Sequence, residues 1–254
     1  MKRKVFLKGL GLAGLSVVSL AELACSKDSD NYLLEDEVTT SNGSDGDLSS
    51  NTDSSGDCSE TPGETEGPFP TKDPEDLERV NIVGDRTGIG LDINITIRNV
   101  NDSCNILVGA IVDIWHCDKD GYYSEYGGTQ MQSVDYSDNH FLRGRQLTDT
   151  DGLAKFSSIF PGWYQSRSTH IHVHIYDNDG ISLLVTQIAF PEGENSAVVR
   201  VNAADEYGYT KGMGGYTYHA DDNVFSDGVE EELSNVSGSI DEGFVLTHDI
   251  YVRA

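Results

Sequence analysis

Three histidines at alternate positions are the clearest sign of chemistry in this sequence. His170, His172 and His174 are separated by single apolar residues. On a β-strand this alternation places the imidazoles on one face and the apolar side chains on the other. Two imidazoles two residues apart on a stiff strand can reach one metal ion, whereas the competing interpretation is a polar face with solvated histidines. The spacing therefore raises a metal-site hypothesis that other parts of the chain must support.

A histidine strand needs partner strands, and the sequence predicts several. Residues 91–97 alternate Leu or Ile with polar residues, which is the period of a half-buried strand. Further strands are predicted at residues 106–115, 153–160, 170–176, 181–190, 197–201 and 244–252. Turns rich in Asp and Gly separate these segments, and no stretch has a sustained helical period. Many short strands joined by polar turns predict an all-β sandwich.

Four ordered stretches around the histidine strand carry further distinctive residues. They are Thr65–Phe69, Val112–Ser124, Phe141–Gly144 and Thr148–His174. Together they resemble the intradiol ring-cleavage dioxygenases, the family of catechol 1,2-dioxygenase and protocatechuate 3,4-dioxygenase. The resemblance runs from about Thr65 to the C-terminus. It implies one β-sandwich domain at residues 67–254, without the N-terminal helical domain of the catechol 1,2-dioxygenases.

The resemblance implies a ferric ion, Fe(3+), bound by two tyrosines and two histidines. The matching positions are Tyr123, Tyr164, His170 and His172. By the same resemblance, Tyr164 is the ligand that leaves when substrate binds, and Tyr123 stays. Tyr122 is a rival to Tyr123, but the Gly-x-Tyr-Ser spacing favours Tyr123. His174 is expected at the surface or behind the ligands.

The resemblance also assigns residues that act on the substrate. Arg167 matches an active-site arginine that would stabilise negative charge on the ring, and Gln187 matches a glutamine lining the same site. Phe69 and Pro70 are expected either to line the substrate entrance or to pack as ordinary core residues. Arg143 and Arg145 are expected to be surface charges beside a loop.

Iron(III) chemistry agrees with these ligands. A hard, trivalent ion favours anionic oxygen donors, and deprotonating a phenol at pH 7 costs about 4 kcal/mol, which such an ion can supply. Two phenolates and a hydroxide cancel its three positive charges, while neutral imidazoles add none. The implied function is a dioxygenase that uses O2 to cleave catechol rings between the two hydroxyl-bearing carbons, giving muconate-type diacids.

Two other functions stay open. A non-catalytic extracellular β-sandwich binding module would not need the four ligand residues. A zinc hydrolase could use the His-x-His strand, but such sites usually add a third histidine or a carboxylate. Protocatechuate, hydroxyquinol, catechol and lignin-derived catechols all remain possible substrates, and the sequence leaves the oligomeric state open.

The N-terminus has the pattern of an export segment. Basic residues at positions 2–4 and 8 precede an apolar stretch, Gly9–Leu20, that is too short to span a membrane comfortably. The run Ala21–Cys25 resembles a lipoprotein cleavage site, so residues 1–25 are predicted to be a signal segment with a lipid on Cys25. The protein is then expected to be a periplasmic or cell-surface lipoprotein that contacts membrane through this lipid alone. The basic residues leave Sec and twin-arginine export both possible.

Charge and cysteine content complete the expectations. The chain has 43 acidic and 17 basic residues, a net charge of −26, which argues against nucleic-acid partners. Residues 26–66 are acidic with few apolar positions and predict a disordered tether. Cys104 and Cys117 flank a predicted strand of about 26 Å, too long for a bridge with Cα atoms about 6 Å apart. Cys58 is therefore expected to pair with one of them.

Overall fold

Residues 58–254, the part of the chain that the computed structural model describes, form two β-sheets with little helix. The strands are β1 (Gly90–Asn99), β2 (Asn105–Ile106), β3 (Ile111–Trp115), β4 (Arg143–Leu147), β5 (Leu153–Ile159), β6 (His170–Tyr176), β7 (Ser182–Ala189), β8 (Asn235–Ser239) and β9 (Gly243–Val252). The helices are α1 (Ala197–Asn202) and four 3-10 turns at Pro74–Leu77, Val100–Asp102, Asp205–Tyr207 and His219–Asp221.

The two sheets differ in topology. The first has five strands in the order β2-β1-β9-β8, with β5 also paired to β1, and its β1–β9 pair is parallel. The second has four antiparallel strands in the order β4-β3-β6-β7. This architecture confirms the predicted all-β sandwich.

The core lies between the sheets and follows from the alternation of apolar residues. The inward side chains of β1 are Leu91, Ile93, Ile95 and Ile97. They belong to the same buried cluster as Ile171, Val173 and Ile175 of β6. Because neighbouring residues on a strand point to opposite faces, burial of this face directs His170, His172 and His174 to the outer face of the four-stranded sheet. The core thereby sets the direction of the histidines.

Two strand predictions were wrong in detail. Residues 197–201 form α1, where the Ser196 hydroxyl accepts a hydrogen bond from the Val199 amide at 3.3 Å and Ala197, Val198 and Val201 are buried. Their spacing is that of a helix face, so packing overrides the β-propensity of valine. The predicted strand at residues 106–115 is interrupted around Gly109, whose φ is +78°.

Two strands, β4 and β8, were not predicted. The sequence of β4 is RGRQL and that of β8 is NVSGS, and neither alternates apolar with polar residues. Both take their conformation from pairing with a neighbouring strand, β3 and β9 respectively. Pairing of this kind leaves little trace in the local sequence.

The described domain begins earlier than residue 67. Cys58 forms a disulfide with Cys104, with Cα atoms 6.1 Å apart, and Thr61 and Glu64 donate backbone hydrogen bonds to Tyr251 and Val185. Residues 58–66 therefore pack on the sandwich instead of belonging to the tether. The predicted signal segment, the lipidation site at Cys25 and residues 26–57 lie outside the described residues. No helix within residues 58–254 has the length and apolar character needed to cross a bilayer.

Candidate metal centre

One row of side chains crosses all four strands of the second sheet. Strand register places Arg143 of β4 opposite Trp115 of β3, Trp115 opposite His172 of β6, and His172 opposite Gln187 of β7. Residues directly opposite each other share a face of the sheet and lie in contact distance. The indole of Trp115 stacks on the imidazole of His172 with ring centroids 5.0 Å apart and planes 1° apart. The stacking fixes the plane of a candidate ligand.

The two central imidazoles direct the same nitrogen to one point. His170 Nδ1 lies 2.7 Å from the Ser168 carbonyl, which can only accept, so Nδ1 carries the proton and Nε2 presents a lone pair. His170 Nε2 is 3.1 Å from His172 Nε2. His172 Nδ1 is buried and has no hydrogen-bond partner among residues 58–254. Burial lowers the pKa of His170 to about 3 and that of His172 well below its ordinary value, so both rings are neutral.

Two phenols from separate loops reach the same nitrogen. Tyr123 Oη lies 3.3 Å and Tyr164 Oη 3.4 Å from His170 Nε2. The side-chain amide of Gln132 holds the backbone of Tyr123 through hydrogen bonds of 2.7 and 2.8 Å. The Gly162 amide donates to the Asp118 carbonyl at 3.1 Å, which joins the turn before Tyr123 to the turn before Tyr164. The structure thus brings Tyr123, Tyr164, His170 and His172 together, whereas Tyr122 packs near Tyr136 instead.

Burial controls the protonation of these phenols. The side chain of Tyr123 is 0% exposed, and burial raises its pKa well above the ordinary value. Burial also raises the pKa of Tyr164, which is partly exposed at the edge of the site. The charge of Arg167 acts to lower both pKa values but does not offset burial, so ionising either phenol requires a further cation.

The donor set fits a hard trivalent cation. Ligand atoms around one ion with bonds of about 2.0–2.2 Å lie roughly 3–3.5 Å apart, and the measured separations from His170 Nε2 span 3.1–3.4 Å. Two phenolates supply two negative charges, and two neutral imidazoles add none. The additional donors beside the histidines are phenols, which distinguishes the site from the usual zinc sites of histidine and carboxylate or thiolate.

Arg167 and Gln187 lie at the edge of this centre. Arg167 Nη1 is 3.5 Å from Tyr164 Oη and 3.4 Å from His170 Nε2, and its Nη2 donates to Gln187 Oε1 at 2.5 Å. Gln187 in turn donates to the Thr65 carbonyl at 2.8 Å. The arginine is therefore fixed with one edge towards the candidate ligands.

Asp222 is a site residue that the sequence did not reveal. Its buried carboxylate accepts from Arg167 Nε at 2.9 and 3.0 Å, although 55 residues separate the two positions. Burial acts to raise the pKa of Asp222, but the Ser168 amide and the Arg167 charge lower it overall, so the carboxylate is ionised. The segment around Asp222 has no motif that would mark it.

The expected entrance residues differ in their positions. Phe69 is buried and stacks on Tyr123 with ring centroids 4.9 Å apart. Pro70 is partly exposed, and its carbonyl accepts from Tyr126 Oη at 2.8 Å. Phe69 therefore packs behind a candidate ligand. A cavity of about 450 Å³ is lined in part by Pro68, Phe69 and Tyr126.

Arg143 and Arg145 are not surface charges, so that expectation was wrong. Arg143 is 0% exposed and donates to Ser124 Oγ at 2.9 Å, to the Ser124 carbonyl at 2.6 Å and to the Phe69 carbonyl at 3.0 Å. Arg145 makes two 2.6 Å hydrogen bonds with Asp113. Arg143 thereby ties Ser124, the residue after Tyr123, to Phe69, whose ring stacks on Tyr123.

Fold and site together define an all-β protein with a centre of two phenols and two imidazoles on the outer face of one sheet. The family model Dioxygenase_C, described as "Dioxygenase", matches residues 66–207. The chain therefore belongs to this dioxygenase family, as its resemblance to the intradiol ring-cleavage enzymes predicted.

Individual relatives agree with this membership. The chain is 33% identical over 107 residues to a chlorocatechol 1,2-dioxygenase of Rhodococcus opacus, covering 35% of this chain and 38% of that protein. It is 30% identical over 122 residues to a chlorocatechol 1,2-dioxygenase of Pseudomonas putida, covering 41% and 43%. The matched stretch thus spans about two fifths of the length of these curated relatives.

Solved structures match over more of the chain. An intradiol ring-cleavage dioxygenase from Tetranychus urticae superposes with a TM-score of 0.67 and 27% identity, over 77% of this chain and 95% of that one. The dioxygenase domain of a dioxygenase carbohydrate-binding protein fusion from Streptomyces sp. SirexAA-E gives a TM-score of 0.54 at 25% identity, over 77% and 99%. These similarities cover the sandwich as a whole.

Proposed function

We propose that this protein is an iron(III) intradiol dioxygenase, which uses O2 to cleave catechol rings between the two hydroxyl-bearing carbons and releases muconate-type diacids. The observation that carries the proposal is that two phenol oxygens, Tyr123 Oη and Tyr164 Oη, and the imidazole nitrogen His172 Nε2 all lie 3.1–3.4 Å from His170 Nε2. Family membership supports the same reaction class. We further propose that the protein is exported and anchored by a lipid on Cys25.

Each residue of the centre has a role that follows from its position. His170 and His172 would bind the ferric ion through Nε2, and Tyr123, fully buried, would be the permanent phenolate. A ferric ion held by these residues would supply the Lewis acidity that makes a bound catechol reactive towards O2. Tyr164 is the more exposed phenol, so its Oη is suited to accept a catechol proton as substrate enters.

Arg167 and Gln187 would act on the substrate. Arg167 Nη1 lies at the edge of the centre, where it can stabilise negative charge that develops on the ring. Gln187 holds Arg167 Nη2 and is itself held by the Thr65 carbonyl, so both side chains are oriented before substrate binds. Phe69 covers the inner phenol and limits its contact with water.

Replacing Tyr164 tests the assignment directly. Purified Tyr164→Phe protein is expected to bind iron more weakly and to lose much of the burgundy phenolate-to-iron absorption, because one phenolate donor is gone. Tyr122→Phe is the matched control, since Tyr122 lies next to Tyr123 but packs towards Tyr136, and it should leave iron content and spectrum unchanged. An unaltered iron content and visible spectrum in Tyr164→Phe would contradict the proposal.

A substrate panel separates this function from its competitors. Iron-loaded protein should consume O2 and form muconate-type absorbance with at least one catechol. A non-catalytic binding module would bind sugars or proteins without oxygen uptake, and a zinc hydrolase would be colourless and inhibited by zinc chelation. Colour, metal content and oxygen uptake measured on one preparation distinguish the three.

A further inference from the structure

The guanidinium of Arg167 is held on three sides. Nε donates to both carboxylate oxygens of Asp222 at 2.9 and 3.0 Å, and Nη2 donates to Gln187 Oε1 at 2.5 Å. The ring of Phe225 lies 5.7 Å from the guanidinium carbon. Nη1 is the edge that faces Tyr164 Oη and His170 Nε2. The direction of Nη1 therefore depends on the partners of the other two nitrogens.

Asp222 is itself rigidly placed. Its side chain is 0% exposed and accepts, besides Arg167, the Ser168 amide at 2.8 Å, the Ser168 hydroxyl at 3.0 Å and the Val224 amide at 3.0 Å. These contacts leave the carboxylate little freedom to follow a moving arginine. Asp222 also lies beyond residue 207, where the match to the family model ends.

We propose that Asp222 is a positioning residue that aims the Nη1 edge of Arg167 at the substrate side of the metal centre. The proposal rests on the function proposed above, because it assigns Asp222 a role in that reaction. Without the carboxylate, Arg167 would be a buried charge lacking its counterion and would turn towards other acceptors. A displacement of about 1 Å at an oriented group can cost about 100-fold in rate.

The central test is a double-mutant cycle in the full-length, iron-loaded protein. Asp222→Asn keeps the shape of the side chain and removes its charge. We expect it to lower kcat per bound iron about 100-fold, with KM for catechol changed less than about threefold. Arg167→Met should give a similar loss, and the double variant should be no slower than Arg167→Met alone. The proposal would be overturned if the two single-variant losses of kcat multiplied in the double variant. It would also be overturned if Asp222→Asn kept full kcat.

Asp113→Asn is the matched control. Asp113 is also buried and makes two 2.6 Å hydrogen bonds with an arginine, Arg145, but it does not contact the four candidate ligands or Arg167. The control should lower the midpoint of thermal unfolding while leaving kcat per bound iron within about twofold. A loss of kcat equal to that of Asp222→Asn would show that breaking any buried Arg–Asp pair suffices, and would refute a positioning role.

Two further measurements keep the proposal open to refutation. The phenolate-to-iron absorption of Asp222→Asn should match that of the parent protein, since Asp222 directs Arg167 and not the ligands. If Asp222→Asn does not fold, Ser168→Ala removes one donor to Asp222, and it should lower kcat a few-fold in the parent but not in the Arg167→Met background. Equal effects in both backgrounds would overturn the proposal.

Binding of 4-nitrocatechol separates the two possible failures. If the iron-loaded parent turns over no catechol, the proposed function fails, and the same cycle is then read from the dissociation constant of 4-nitrocatechol. Non-additive losses of affinity would support the positioning role without turnover. Affinities that are equal in all four proteins would overturn it, because the nitro group draws negative charge into the bound ring before any reaction, whereas catechol gains that charge only during the reaction and so keeps its KM.

Discussion

At the scale of single residues, Gly67 sets how closely the segment before Phe69 approaches a candidate ligand. Its φ is +69°, and a Cβ added there would lie 3.0 Å from Cε1 of His172. Any side chain at position 67 would therefore press on the imidazole as well as strain the backbone. The permissive conformation and the missing side chain are both needed at this position.

We predict that Gly67→Ala weakens iron binding about 10-fold or more, since disturbing the surroundings of a ligand commonly costs 10–100-fold in metal affinity. Gly109→Ala is the control. Gly109 has a similar φ of +78°, but apart from its own atoms and its two chain neighbours no heavy atom of the described residues lies within 4 Å of the added Cβ. Both variants should lose about 1 kcal/mol of stability from backbone strain. Iron titration of the two proteins checks the difference, and equal iron affinities would contradict it.

Glu232 is a residue whose burial makes stability depend on pH. Its side chain is 1% exposed, and neither carboxylate oxygen has a hydrogen-bond partner among residues 58–254. Burial, together with the charges of Glu64, Asp227 and Glu231, raises the pKa of Glu232 from 4.5 to about 8. Between those two pH values the unfolded chain loses this proton while the folded protein keeps it, so stability falls as pH rises.

We predict that Glu232→Gln raises the free energy of unfolding at pH 8 by about 2–4 kcal/mol, at about 1.4 kcal/mol per pKa unit. The gain should shrink to under about 1 kcal/mol at pH 5, because that pH lies only about half a unit above the unfolded-state pKa of 4.5. Glu230→Gln removes an exposed carboxylate from the same segment that is not among the charges acting on Glu232, and it should not show this pH dependence. Urea unfolding at both pH values measures the effect, and a gain that is the same at pH 5 and pH 8 would refute it.

At the scale of elements, strands that alternate apolar and polar residues can be predicted from the sequence. Strands whose conformation comes from pairing with a distant strand cannot. β1 and β6 alternate apolar with polar residues, so both strands and the direction of the histidines were predictable. β4 and the parallel β1–β9 pair depend on partners distant in sequence. Arg143 looked like a surface charge for the same reason, since its burial follows from the loops that carry Ser124 and Phe69.

In the candidate site, too, some residues could be predicted from the sequence and others could not. The tyrosine and histidine positions lie in motifs long enough to carry a resemblance. Asp222 lies in a polar turn after the 3-10 turn His219–Asp221, with nothing local to indicate that Arg167 needs it. A counterion that is distant in the sequence, such as Asp222 for Arg167, can be identified only from the folded structure.

At the scale of the whole molecule, the net charge of −26 acts on every approaching ligand. Two basic side chains beside the centre already have partners. Arg167 forms an ion pair with Asp222, and Arg143 donates hydrogen bonds to the Ser124 and Phe69 carbonyls. An anionic catechol therefore approaches against repulsion, and salt screens that repulsion over about 8 Å at 0.15 M.

We predict that raising the salt concentration from 20 to 300 mM lowers KM for protocatechuate, which carries a carboxylate, by several-fold. KM for uncharged catechol should change little, and it serves as the internal control. If protocatechuate is not turned over, its inhibition constant against catechol gives the same comparison. A KM or inhibition constant for protocatechuate that rises with salt would contradict this picture.

The Cys58–Cys104 bridge has a mechanical consequence. It joins the start of the described domain to the residue just before β2. A pull on the chain upstream of Cys58 would pass through the sulfur atoms into the five-stranded sheet and bypass residues 59–67. That segment includes the Thr65 carbonyl that holds Gln187 and the glycine beside His172. If a lipid on Cys25 anchors the chain, as proposed above, tension on that anchor would reach the sheet and not the segment beside the candidate metal centre.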